Sequence, residues 1–470
     1  MTATVDTRTD YADFLDHKVQ LANAGGFAPT ILPDHLFGFQ RELVAWAVEQ
    51  GRAALFADCG LGKTPMELAW AQNVTAHTKK PVLLLTPLAV GFQIVAEAEK
   101  FGADAAPSRD GTVTAPITVT NYEQLEKFDP DDFGGVVCDE SSAIKAYDGT
   151  RRAVVTEFMR RMPYRLLGTA TAAPNDYLEL GTSSEALGHL GYMDMLGRFF
   201  VNDNRTSTHR AMAFKGGKRV QAGMGGYRFK GHAEEPFWRW VSSWARAIRK
   251  PSDYGYDDAG FHLPDLQQRV TLVKASQTHP EHLFDVPALG LAEEREEARR
   301  TLTDRCEGAA AQLADADTAV AWCNLNDESA MLTRLIDGAV EVAGSDAPEA
   351  KEEKLRAFTD GEIRVLVTKP AIGAWGLNWQ HCHRMSYFPT HSYEQFYQAV
   401  RRSWRFGQQH PVTVDVVTTK GGQRVLESLN TKSRAADAMF DALMTHMTDA
   451  LRINRTRDFN LPMEVPKWLQ

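Results

Sequence analysis

Short, almost wholly apolar runs recur along the chain, separated by stretches with helical spacing. A first series comprises Ala53–Phe56, Pro81–Pro87, Pro116–Asn121, Gly134–Glu140 and Tyr164–Thr169. A second comprises Thr318–Cys323, Val340–Gly344, Ile363–Thr368, His383–Phe388 and Val412–Val417. Strands apolar on both faces and alternating with helices belong to parallel sheets covered on both sides. The pattern therefore predicts an α/β chain with two parallel sheets. Of the helical stretches, Leu36–Ala47 aligns Leu43, Trp46 and Ala47 on one face. Leu291–Leu313 reads as a helical segment with a solvated Glu/Arg-rich face, Tyr11–Lys18 as an N-terminal helix and 422–451 as a terminal one. There is no internal repeat.

Polar residues crowd the C-terminal ends of the apolar runs, where such sheets bind ligands. Ala57 to Thr64 joins the first run to a helix through Gly60 and Gly62. Glycines there let backbone N–H groups turn toward phosphate oxygens, and the helix adds its positive end. Lys63 can then reach terminal phosphates, and Thr64 offers a hydroxyl to Mg²⁺. Gln40, seventeen residues before this loop begins, carries an amide able to pair with an adenine edge; an ordinary surface glutamine is the competing reading.

A second anchor is Asp139-Glu140, which ends the run Val136–Cys138. Beside a phosphate loop, Asp139 suits Mg²⁺, and Glu140 can orient and deprotonate an attacking water. A third is the segment Gln398–Gln408. Arg402 and Arg405 are three apart, which on a helix places both guanidiniums on one face, suited to charge developing on a γ-phosphate. Arginines in the second sheet and a phosphate loop in the first imply an ATP cleft between the two.

Composition narrows the class. Of 470 residues, 43% are hydrophobic and 24% charged, as in globular proteins, and no run approaches the ~20 apolar residues of a membrane span. The first residues lack a basic and apolar leader, which predicts a cytoplasmic protein. Five cysteines without a CxxC pair predict reduced thiols and no zinc module; His381-Cys382-His383 reads as a strand-end cluster. The net charge is −9, yet Leu196–Tyr256 holds twelve Lys/Arg against four Asp/Glu. A basic island in an acidic chain predicts a nucleic-acid partner better than the total does. Aromatics are interleaved with its cations, and Trp240 and Trp244, four apart, suit either base stacking or a core-facing helix. Glycines at 216, 217, 223, 225 and 226 predict a loop or hairpin over Phe214–Lys230.

In this order the motifs resemble those of superfamily two helicase-type motors, closest to the Swi/Snf-like branch found in phages and prophages. The resemblance runs from about Leu36 to Thr419. Leu36–Gln40 resembles the adenine-recognising Q motif, Asp58–Thr64 motif I, and Asp139–Ser142 the DExx box. Thr86-Pro87 and Thr120-Asn121-Tyr122-Glu123 resemble motifs Ia and Ib, which grip the DNA backbone. Gly168–Thr171 resembles coupling motif III, with Thr169 and Thr171. Gly373–Asn378 resembles motif V, with Gly376, and Gln398–Gln408 motif VI, with Gln398 in a coupling place. The chain departs from the branch at Ser142, where His is frequent, at Ala170, where Pro is frequent, and in the residues Pro370–Ile372 ahead of motif V.

The resemblance implies two RecA-like lobes closing on MgATP, with a basic insertion on lobe one, and a DNA-dependent ATPase moving on duplex or forked DNA. The expected divisions are 1–35, an N-terminal helix and connector; 36–190, lobe one; 191–260, the basic aromatic insertion; 261–316, a helical connection; 317–421, lobe two; and 422–470, a C-terminal helix and tail. Lys215, Lys218 and Arg219 in the insertion are expected DNA contacts. A partner protein from a phage replication, recombination or restriction complex would account for any cutting or modification. The rival readings are the motor subunit of a restriction-like complex and an ATP-gated clamp that does not translocate.

Overall fold

The computed structural model describes residues 25–145, 149–173, 177–202, 226–276, 291–374 and 377–457. The first sheet holds β1 (Arg52–Ala57), β2 (Val82–Thr86), β3 (Ala105–Pro107), β4 (Ile117–Asn121), β5 (Gly135–Asp139), β6 (Tyr164–Thr169) and β9 (Ala245–Ile248). Its strands run parallel in the order β3-β4-β2-β5-β6-β1-β9. Between β6 and β9 in the chain, β7 (Phe200–Asn202) and β8 (Tyr227–Phe229) form a separate antiparallel pair. They bracket the expected glycine-rich loop, most of which lies outside the described residues.

Alternation along β1 explains why its run is apolar throughout. Ala54 and Phe56 face one buried cluster, which includes Trp244, and Ala53, Leu55 and Ala57 face another, which includes Leu43 and Trp70. Helix α1 (Gly38–Gln50) and α2 (Lys63–Thr78) cover the second face. β6 lies between β1 and β5. The loop leaving β1, the end of β6 and the end of β5 therefore meet along one edge of the sheet.

The expected insertion over 191–260 is in large part lobe one itself. Helix α3 (Glu234–Trp244) buries Trp238, Trp240 and Trp244 in the first core, and the chain continues directly into β9, which pairs with β1. The two tryptophans that suited either stacking or packing are core residues.

The second sheet is also parallel, in the order β10-β15-β14-β11-β13-β12. Its strands are β10 (Leu266–Leu272), β11 (Ala319–Trp322), β12 (Ala339–Val342), β13 (Val365–Thr368), β14 (Arg384–Tyr387) and β15 (Val412–Thr418). β10 lies in what the sequence reads as a helical connection, so the second sheet begins before residue 317. The helical segment after it is α4 (Leu291–Arg300) and α5 (Leu302–Leu313). Its charged face is not wholly solvated: Arg305 of α5 is buried and bridges buried Glu328 at 2.7 Å.

The lobes are joined at their ends by a long terminal helix. Helix α6 (Tyr393–Val400) belongs to lobe two, and α7 (Gln423–Arg457) follows β15. α7 sets Leu426, Leu429 and Ala436 in the second core and Met439, Phe440, Leu443 and Met447 in the first. Arg249 of lobe one bridges Asp437 and Asp441 on it, at 3.3 and 2.7 Å. Among the described residues no helix is long and apolar enough to cross a membrane.

Candidate functional site

The loop from β1 to α2 turns through two left-handed glycines, Gly60 at φ 90° and Gly62 at φ 75°. Both are also tightly approached. A Cβ on Gly60 would come within 2.7 Å of the Phe406 backbone nitrogen, from lobe two, and one on Gly62 within 2.3 Å of Gln40 Nε2. L-residues with side chains resist this conformation, so loop, α1 and lobe two meet here only because the side chains are missing.

Gln40 is neither a surface residue nor a free amide. It is 3% exposed, its Nε2 donates to the Leu61 carbonyl at 2.8 Å, and its Oε1 accepts from Phe37 N–H at 2.9 Å. It fastens the head of α1 to the glycine loop, which leaves each amide atom one further hydrogen-bonding position. Lys63 Nζ lies 3.4 Å from the Ala57 carbonyl at the loop's base. Lys63 and Thr64 line a cleft shared with Gln40, Gly60, Gly62, Asp139, Glu140, Arg402 and Arg405.

Asp139 ends β5 and is held from its neighbours. Thr86 Oγ1 donates to its Oδ2 at 2.9 Å, and the Tyr122 hydroxyl donates to its carbonyl at 2.8 Å. Burial first, and then the charge of Glu140, raise the Asp139 carboxyl to about 6, against the pull of Lys63 and Thr86. Thr86, Thr120, Asn121 and Tyr122 are all buried. Of the expected DNA-gripping side chains, Thr86 and the Tyr122 hydroxyl are thus turned inward onto the acid's strand, whose buried oxygens need donors. Pro87 and the Tyr122 ring border a second groove between the lobes, with Arg109, Arg151 and Lys351 along it.

Glu140 adopts φ 54°, a left-handed backbone on a residue with a full side chain. Such strain persists where surroundings over-determine a side chain, and here they do. Its Oε1 accepts from Thr169 Oγ1 at 2.7 Å, Ser142 Oγ at 3.1 Å and Gln398 Nε2 at 3.3 Å. The Ser142 hydroxyl thus serves the acid from within its own lobe. Gln398 reaches in from α6; it also approaches Thr171 Oγ1 at 3.5 Å, and its Oε1 accepts from Arg402 Nη2 at 2.8 Å. One amide therefore links an acid of lobe one to an arginine of lobe two.

Arg402 and Arg405 do converge, though not on a helical face. α6 ends at Val400, and the chain passes through turns to Gly407. The two guanidiniums come together because both donate to the Leu377 carbonyl, at 3.1 and 3.2 Å. Burial, then the neighbouring Arg402, lower Arg405 to about 10. Gly376, Lys215, Lys218 and Arg219 lie outside the described residues.

Three contacts were not legible in the sequence. Asp58, ahead of the glycine loop, forms a buried ion pair with Arg401 of lobe two and accepts from the Tyr397 hydroxyl. Lys145 pairs with Glu394 across the same interface. Glu67, on α2, lies wholly buried beside the acid pair. The adjacent arginines at 401 and 402 were the available signal for the first; nothing in the sequence pointed to the others.

The donor set fits a magnesium nucleotide. A loop of inward-turned glycines, a lysine and two arginines without a salt bridge among the described residues suit a polyphosphate. Asp139 and Glu140 lie in the cleft with the Thr64 hydroxyl, and buried Glu67 lies behind them, a set of oxygens that suits a divalent cation near Thr64 and Asp139.

Fold and site together define a cleft between two parallel-sheet α/β lobes, with opposed charges supplied from the two sides. No family model matches the chain, and no curated protein does. Among solved structures it is similar to the Sulfolobus solfataricus SWI2/SNF2 ATPase core in complex with dsDNA, with 15% identity, 90% of this chain and 96% of that chain covered, and a TM-score of 0.41.

Proposed function

We propose that this chain is a DNA-dependent ATPase that couples MgATP hydrolysis to movement along DNA. The observation that carries the reading is the hydrogen-bonded line from Glu140 through Gln398 to Arg402, which crosses from one lobe to the other. The glycine loop and Lys63 bind the β- and γ-phosphates. Thr64 and Asp139 would hold Mg²⁺, which when bound neutralises charge on the phosphate oxygens. Glu140, held by Thr169, Ser142 and Gln398, orients the attacking water and takes its proton. Arg402 and Arg405 stabilise charge at the transferred phosphoryl group. Because these groups belong to different lobes, each nucleotide state favours its own lobe arrangement, and grips on DNA shift with it. Arg109, Arg151 and Lys351 bring cations to the second groove, where a phosphate backbone would replace the carboxylates that now pair with Arg109 (Glu349, Glu352) and Arg151 (Glu123).

The test is steady-state ATP hydrolysis by the full chain with no nucleic acid, single-stranded, duplex or forked DNA, or RNA, using Glu140→Gln as the blank. Stimulation by duplex alone is expected, followed by displacement of a triplex strand from that duplex. Preference for forks moves the reading to strand separation. Hydrolysis that leaves the triplex intact favours the clamp, and hydrolysis indifferent to every nucleic acid removes DNA from the reading.

A further inference from the structure

Glu67 is the most thoroughly buried acid near the cleft, and no contact described above occupies it. It is 0% exposed, and neither carboxylate oxygen has a hydrogen-bond partner among the described residues. It follows Lys63 by four positions and Thr64 by three on α2, so it neighbours each of them one turn along the helix. Its carboxyl lies over β6 at Gly168, where a Cβ would come within 1.9 Å of Oε1. Gly168 is the registered neighbour of Asp139 across the β5–β6 pair.

A carboxyl of this kind demands an account. Burying one without hydrogen bonds is costly, and a protein that needed only bulk here would gain by an apolar residue. Burial first, and then the charge of Asp139, hold the group well above the usual carboxylate range; Lys63 pulls the other way. A cation between Thr64 and Asp139 would supply the missing charge, and its bound waters the missing donors. Gly168 supplies the room, since no side chain fits beneath the carboxyl.

We propose that Glu67 is a positioning residue for the divalent ion: it accepts hydrogen bonds from metal-bound water beside Asp139, from a seat that only glycine at 168 leaves open. The inference rests on the nucleotide reading of the cleft. It assigns Glu67 no direct bond to the ion and no part in proton transfer to or from ATP.

The test uses Mn²⁺ in place of Mg²⁺ and a non-hydrolysable ATP analogue, with free Mn²⁺ read by electron paramagnetic resonance on the full chain. In Glu67→Gln, Mn²⁺ affinity of the nucleotide complex should fall about tenfold, the lower end for lost outer-shell partners. Analogue affinity in EDTA should not change, which also reports that the lobe is folded. Gly168→Ala keeps the acid and fills its seat, and should lower Mn²⁺ affinity in the same direction. Wild-type Mn²⁺ affinity in a folded Glu67→Gln protein would overturn the assignment and leave the nucleotide reading intact. Failure of the unaltered chain to bind analogue or Mn²⁺ would remove both.

Discussion

Glu140 Oε1 and Gln398 Nε2 lie 3.3 Å apart across the boundary between the lobes. The same Glu140 oxygen takes two hydroxyl donors from its own lobe, and the same Gln398 side chain accepts from Arg402. The position of the candidate base is thus set jointly by both lobes.

Gln398→Ala should consequently lower kcat with little change in nucleotide affinity. Loss of one positioning bond can misplace the base by about 1 Å, which costs up to roughly a hundredfold in rate. Single-turnover hydrolysis alongside equilibrium binding of a fluorescent ATP analogue separates the two quantities. A rise in KM at constant kcat would instead assign Gln398 to binding.

Glu140→Gln and Lys63→Ala should fail in different ways. The first keeps the shape of the site and loses the base, so binding persists while turnover falls by about 10²–10⁴. The second removes the cation aimed at the phosphates, and binding itself weakens. Isothermal titration with a non-hydrolysable analogue checks both; normal turnover in Glu140→Gln would reassign the base.

Asp58 and Arg401 form a buried pair between the lobes, with side chains 12% and 7% exposed. Breaking such a pair from one side costs about 3–5 kcal/mol because the remaining charge is stranded. Asp58 keeps donors from Tyr397 and the Cys59 amide, so Arg401→Ala is expected near the lower value. Adding Asp58→Asn should return part of the loss. Urea unfolding of the two single variants and the double variant, closed as a cycle, measures the coupling.

His189 adds an acid-sensitive element in lobe one. Its Nε2–H donates to the Arg52 carbonyl at 3.2 Å, and burial, outweighing that bond, together with nearby Arg52 and Arg165, lowers its pKa from 6.5 to about 4. The folded state therefore binds this proton less readily than the unfolded chain. The associated stability is present above pH 6.5 and is lost as pH falls toward 4, on the order of 3 kcal/mol. His189→Gln, which retains a donor for the carbonyl, should flatten the wild-type decline in melting temperature across that window. Parallel curves for the two proteins would reject this source.

Strands buried on both faces announce themselves, which is why β1, β2, β4, β5 and β6 and most of the second sheet were readable as apolar runs. β9 was hidden because Ala245–Ile248 issues straight from a tryptophan-rich helix whose arginines suggested a separate surface. β10 was hidden because it is an edge strand with no buried residue: Gln267, Gln268 and Arg269 interrupt it, and Val270 and Leu272 are exposed as well, so it gives no continuous apolar run. In the cleft, groups fixed by local chain geometry were legible, such as the glycine turn and the acids ending β5. Contacts made between the lobes were not. Nothing adjacent in sequence tells Gln398 to meet Glu140 or Thr86 to turn from the surface onto Asp139, and the doubled arginine at 401 and 402 marks a site without naming Asp58 as its partner.

The terminal helix α7 constrains how these contacts can part. Its 35 residues make a rod of about 52 Å, gripped near its start by Leu426 and Leu429 in one core and farther along by Phe440, Leu443 and Met447 in the other. Pulling the lobes straight apart would expose that second set of anchors, at about 25 cal/mol for each Å² of apolar surface uncovered. Under the ATPase proposed above, the rod would tie the two lobes together through any change at the cleft, since both cores hold it.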